Sequence, residues 1–109
     1  MTEENIKTGK TTAIVAYITI VGAIISIFMN MEPKNPFARF HIRQAFGIFI
    51  TFFALTFIVP FFDSWGVSIA FYIFIITLWG YGIANAFQGN IIPVPLLGKY
   101  FQKWFTFIQ

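Results

Sequence analysis

The sequence predicts an all-α membrane protein. Its elements are three transmembrane helices, a short interfacial helix before the second, and an amphipathic interfacial helix at the C-terminus. Three observations predict this. Thr11–Met31 and Gln44–Phe62 carry no charged residue, and none appears between Asp63 and Lys99. Hydrophobic residues make up 58% of the 109 positions and charged ones 10%, too little polar surface to cover a water-soluble domain of this size. The apolar runs reach the ~18 to 20 residues a helix needs to cross hydrocarbon. They do not alternate with polar residues, which argues against a membrane β-barrel.

The elements follow in chain order within one domain, 1–109. Residues 1–10 contain Glu3 and Glu4 and no Arg, unlike an organellar transit peptide. No small-x-small cleavage site follows the first apolar run, so it reads as a retained span at about 11–31. Pro33 and Pro36 end that span. Residues 37–43 read as a short amphipathic turn at the interface, running into a second span at about 44–62. Pro60 falls in its last turn, and Asp63 and Ser64 make a tight loop. The third span is about 65–87, closed by Gly89-Asn90. In 96–108, Leu97, Tyr100, Phe101, Trp104, Phe105 and Ile108 recur at helical spacing opposite Lys99, Gln102, Lys103 and Thr106. Such a helix is too short to span and lies in the interface plane. Trp65, Lys99, Lys103 and Trp104 are the expected interfacial anchors.

Three spans place the Pro33–Arg43 loop and the C-terminus on one side, and the N-terminus with the Asp63 loop on the other. The first side holds Lys34, Arg39, Arg43, Lys99 and Lys103, and the second Lys7 and Lys10. The positive-inside rule then predicts the N-terminus outside and the C-terminus inside.

Helices in lipid associate through small and polar residues. Ala16, Thr19, Ala23, Ser26 and Asn30 form such a stripe on the first span. Gln44, Gly47, Thr51 and Ala54 form one on the second, and Thr77, Tyr81, Asn85 and Gln88 one on the third, with Gly80 and Ala84 beside it. The plainest role for these stripes is holding the bundle together, at about 0.6 kcal/mol per interhelical hydrogen bond.

The densest polar cluster is Phe37-Ala38-Arg39-Phe40-His41-Ile42-Arg43-Gln44-Ala45. Arg39 and Arg43, four apart, share a helical face and could clamp a phosphate or carboxylate. The plainer reading makes them topology anchors. His41 could titrate near neutral pH, but a lone His is a poor metal site and more often a hydrogen-bonded structural residue. Arg39, Phe40, His41, Arg43, Gln44, Asn85 and Gln88 are thus the candidate contacts to a partner or lipid headgroup. No nucleophile–base pair, paired carboxylates or metal-ligand set is present, so we expect neither enzyme activity nor a cofactor. The cations flank apolar runs and form no patch for nucleic acid. The expected partners are the bilayer and a membrane protein or a second copy of the chain.

The run Phe40-His41-x-Arg43-Gln44-Ala45 resembles a signature of the chloroplast inner-envelope import component family (the twenty-kilodalton Tic subunit) and its small bacterial relatives. Asn85-Ala86-Phe87-x-Gly89 followed by Pro95-Leu96-Leu97-Gly98 resembles that family's second signature. The resemblance covers roughly 13–104. It implies a small helical membrane protein, with a part in protein import for the plastid members. The chain departs from the plastid pattern in having a short amphipathic helix where a fourth span would be, which argues against a pore. With no transit-peptide pattern, the resemblance points to a bacterial inner-membrane protein. The expected role is an interaction or assembly subunit; the alternative is an oligomeric transport or translocation component.

Overall fold

The computed structural model describes residues 2–108. The elements are α1 (Glu3–Ile18), α2 (Ile20–Met29), α3 (Pro36–Ile58), a 3-10 turn (Val59–Phe62), α4 (Trp65–Gln88) and α5 (Gly98–Trp104), with no strand among the described residues. Thr2 caps α1 through its side chain.

The expected first span at 11–31 is not one helix. α1 starts at Glu3, and the chain breaks at Thr19, whose backbone is extended (φ −152°, ψ 173°). The Thr19 hydroxyl accepts the Gly22 amide (3.1 Å) and its carbonyl accepts the Ala23 amide (2.9 Å), so Thr19 caps α2. The chain then turns back. Asn30, just after α2, is hydrogen-bonded to Asn35. Asn35 in turn donates through Nδ2 to the Asn5 carbonyl and the Thr8 hydroxyl, both 2.9 Å away. A straight helix over 11–31 would carry Asn35 far from the first turns of α1. α2 therefore returns alongside α1, and the two form a helical hairpin with its tip at Thr19. A Cβ at Gly22 would collide with the Val15 carbonyl oxygen, so the turn needs a glycine there. α2 rises only about 15 Å, half a hydrocarbon thickness.

Asn35 also starts α3. Its Oδ1 accepts from the Phe37 and Ala38 amides, and Pro36 occupies the first helical position. The expected interfacial turn at 37–43 is not a separate element: it is the first part of α3, continuous with the second span, and one face of it packs inward. Phe37, Ala38, His41 and Ile42 are fully buried against the rest of the chain. Pro60 sits in the 3-10 turn after α3, and Asp63 turns the chain in the left-handed region (φ 44°). Ser64 caps α4, and Gly89 ends it with φ 78°.

Among the described residues, two helical segments are long and apolar enough to cross a membrane, Pro36–Phe62 and Trp65–Gln88, with mean hydropathies of 2.3 and 1.9 in their most apolar stretches. Only 17% and 22% of their most apolar stretches are buried within the chain, unlike the core helices of a soluble protein. Their outward residues include Phe53, Phe57, Ile69, Ile73 and Ile76.

The N-terminus is not at the Asp63 end. Asn5 and Thr8 are bonded to Asn35, and α3 carries the chain about 34 Å away from there before Asp63. All seven Lys and Arg residues therefore lie toward the end where Asn5 meets Asn35 and Arg43 meets the tail, and not five at one end and two at the other.

On α4 the buried face is Phe71, Ile75, Leu78, Gly82, Asn85 and Ala86. The Gly80–Ala84 pair lies off it: Ala84 is exposed, and a Cβ at Gly80 would meet nothing within 4 Å. Gly82 takes the close contact, its Cβ position 2.7 Å from the Tyr17 ring. In thermal unfolding in one detergent, Gly80→Ala should be neutral or raise stability by up to about 1 kcal/mol. Gly82→Ala should cost about 1–3 kcal/mol by overpacking; equal effects would contradict this packing.

Candidate functional site

The polar centre is built where α1, α3 and the connector after α4 meet. His41 Nδ1 lies 2.7 Å from the Tyr17 hydroxyl and Nε2 2.7 Å from the Asn90 carbonyl oxygen. Gln44 Nε2 donates to the Tyr17 hydroxyl (2.8 Å), and Gln44 Oε1 accepts the Val94 amide (2.8 Å). The proton positions follow from donor chemistry. A carbonyl only accepts, so Nε2 carries the hydrogen. In the neutral ring Nδ1 then accepts, and Tyr17 donates to it. The hydroxyl's lone pair is left for Gln44. The bonds run in one direction, from the Val94 amide through Gln44, Tyr17 and His41 to the Asn90 carbonyl. The chain begins at a backbone amide, which has no proton to give up, so it is a clamp on the 90–94 connector and not a proton path.

All three side chains are fully buried. Phe37 and Phe40 pack edge-on against the imidazole, with centroids 4.8 and 5.1 Å away. The Tyr17 carbonyl, near the end of α1, accepts the Trp79 indole N–H at 2.6 Å. That bond satisfies one of the carbonyls freed by the break at Thr19.

Arg43 faces the C-terminal tail. Its Nε donates to the Ile108 carbonyl (3.0 Å) and a terminal nitrogen to the Thr106 carbonyl (3.3 Å). Gln102 donates to the Phe40 carbonyl (2.7 Å). Phe101 is buried against Gly47, where a Cβ would clash with its ring. The expected helix at 96–108 is thus shorter, Gly98–Trp104; it is docked on α3 through Phe101, and the tail after it is held at Ile108, whose carbonyl meets Arg43 and whose side chain is buried. Tyr100 and Trp104 stack at 5.3 Å on its outer side, with Lys99 Nζ 5.3 Å from the Tyr100 centroid. Lys103 is exposed, and Trp65 is 86% exposed at the opposite end of the molecule.

The candidate contacts therefore separate. His41 and Gln44 belong to the buried clamp. Arg43 is engaged with the tail. Asn85 donates to the Tyr81 carbonyl and, with the exposed Gln88, accepts from Asn90. Phe40 is half-buried beside His41. Arg39 alone among the seven is a half-buried charge with no polar partner among the described residues. Of the packing candidates, Ala16, Ala23, Ser26 and Gly47 are buried and Thr51 is half-buried. Among the described residues no three His, Cys, Asp or Glu side chains group to hold a metal. Tyr17, Asn35 and Trp79 lie outside the candidate residues that charge and spacing single out. A tyrosine inside a charge-free run is itself a signal, since its hydroxyl needs a partner when buried.

Two outcomes test the clamp. Tyr17→Phe should leave His41 Nδ1 and a Gln44 N–H unpaired, at about 1–3 kcal/mol for each group, read from unfolding in detergent. Nitrogen-15 NMR of the imidazole at neutral pH should show the hydrogen on Nε2; a hydrogen on Nδ1 would contradict the bond direction.

A UPF0132 membrane protein of Methanocaldococcus jannaschii is 30% identical to this chain over 81 residues, which cover 72% of the chain and 58% of that protein. The chain thus spans little more than half the length of that relative. No family model and no solved structure matches the chain. The relative's name states a membrane location and no activity, so the similarity supports a small membrane protein family and not the import component in particular. Together with two long apolar helices, it indicates a membrane location.

Proposed function

We propose that this chain is a non-enzymatic assembly or interaction subunit of a cytoplasmic membrane. It presents a basic face to the cytoplasmic leaflet, where a partner membrane protein or a second copy docks. The observation that carries this reading is the division of its polar groups. The catalytically versatile side chains, His41 and Tyr17, are sealed in a clamp with every hydrogen bond assigned. What remains outward on that end is charge with a basic excess: Lys7, Lys34, Lys99 and Lys103 are exposed and Arg39 half-buried, against the exposed carboxylates Glu3, Glu4 and Glu32, with Tyr100 and Trp104 exposed beside Lys99 and Lys103. Cations with aromatic neighbours suit the headgroup layer and acidic surfaces within it.

The orientation follows from the same end. All seven Lys and Arg residues lie on the end that holds both described chain ends, and the Asp63 end holds none. The charge rule then places both ends in the cytoplasm and Asp63 outside. This replaces the N-terminus-out arrangement expected from three spans, and it supports two crossings plus a half-deep hairpin. The resemblance to import components adds no translocation step to this reading, and the stretches 44–62 and 65–88 offer the oligomeric transport alternative no intramembrane charge.

The chain lacks cysteine, so single-cysteine variants give clean labels. Cysteines at Thr8 and Thr106 should react with a membrane-impermeant maleimide only after the cells are opened, and one at Ser64 in intact cells. Labelling of Thr8 and Ser64 from the same side would overturn the orientation. A photo-crosslinker at Arg39 should capture a membrane protein in cells, lost on Lys99→Glu/Lys103→Glu; a probe at Arg39 that gives only lipid adducts would overturn the subunit reading.

A further inference from the structure

At the Asp63 end the chain opens a cleft of about 510 Å³ between the end of α3, the 3-10 turn and the start of α4. Its lining includes Asp63, Trp65, Tyr72, Phe71, Ser68 and Thr56. The volume suits a small ligand or a lipid headgroup. Asp63 is exposed, and its carboxylate has no hydrogen-bond or ion-pair partner among the described residues. No Lys or Arg lies between Arg43 and Lys99, so this end of the molecule supplies no counter-charge of its own. Trp65 and Tyr72 are 86% and 57% exposed, and Phe71, which Tyr72 meets edge-on at 5.1 Å, is buried behind them.

We propose that this cleft binds a substituted ammonium group, with Asp63 as its counter-charge and the Trp65 and Tyr72 rings as its aromatic walls. The lining selects that class. An anion is repelled by the carboxylate. A neutral apolar ligand gains nothing from the Asp63 carboxylate. A divalent metal asks for several oxygen ligands, and Asp63 is the one carboxylate in the lining. A quaternary ammonium such as choline is weakly hydrated, is attracted to the faces of Trp and Tyr, and pairs with a single carboxylate. The α3–α4 turn lies about one hydrocarbon thickness from the basic end. A phospholipid ammonium headgroup and a free amine are therefore both chemically matched sources. The cleft lies at the end of the molecule opposite the proposed docking face.

The test uses the full chain labelled with 5-fluorotryptophan, its Trp65 resonance assigned by Trp65→Phe. In maltoside micelles, choline should shift that resonance saturably, and the neutral isostere 3,3-dimethylbutanol should not. Asp63→Asn should weaken the response about tenfold or more. Asn accepts the left-handed backbone that Asp63 adopts, so this variant retains the turn. Tyr72→Leu, which keeps the reporter, should also weaken binding. In nanodiscs, a Trp65 resonance already shifted in phosphatidylcholine and not in phosphatidylglycerol identifies the lipid headgroup as the source. A shift that needs added choline in both identifies a free amine. No saturable shift, or an equal one in Asp63→Asn or with the neutral isostere, overturns the proposal.

Discussion

The Tyr17 hydroxyl is the contact on which the rest of this fold depends. It accepts from Gln44 and donates to His41, and through them it reaches the backbone at Asn90 and Val94. Three segments far apart in sequence are thereby tied at one buried point. Away from water an unpaired polar group has no partner to fall back on, and each one left open costs about 1–3 kcal/mol. The clamp therefore acts as a constraint as much as an attraction. α1, α3 and the connector must all be present, in one register, or the polar groups of the other two are stranded. The same logic explains the neighbouring bond from Trp79 to the Tyr17 carbonyl.

That bond makes the break at Thr19 tolerable. Ending one helix and starting another inside an apolar layer exposes donors and acceptors that a continuous helix would pair. Thr19 covers two amides with its own hydroxyl and carbonyl, and Trp79 covers a carbonyl of the preceding turn. The apolar run 11–31 is long enough to span, yet it folds back because Asn30 and Asn35 tie its far end to the start of α1. Length and hydropathy measure what a segment is able to do; these side chains decide what it does.

Much was legible from the residues. The helical class, the second and third apolar helices, the Gly89 stop and the burial of Ala16, Ala23, Ser26 and Gly47 follow from charge gaps, small-residue spacing and turn chemistry. The hairpin was not, because nothing in apolar periodicity separates one straight helix of that length from two short antiparallel ones. Its marks are local and polar: an extended threonine, a glycine three residues on, and an Asn-Pro pair that caps the next helix. Gly80 and Ala84 were singled out over Gly82 for a related reason. Spacing gives a face, but which face is buried depends on where Tyr17 sits, and that is fixed by long-range bonds.

The two ends of the molecule answer different physical demands. Four elements and the tail crowd the basic end, and their internal hydrogen bonds account for His41, Gln44, Arg43, Asn35 and Asn85. Below Thr19 only α3 and α4 continue, with an apolar cleft of about 300 Å³ under the hairpin tip lined by Phe49, Phe52, Ile75 and Trp79. Hydrocarbon can fill such a space without loss, since it offers no polar group to leave unpaired. The half-length hairpin therefore gathers the directed polar contacts of the helices at the basic end. The crowded end is held to one geometry by directed bonds, while the thin end needs only to remain apolar as far as the Asp63 turn.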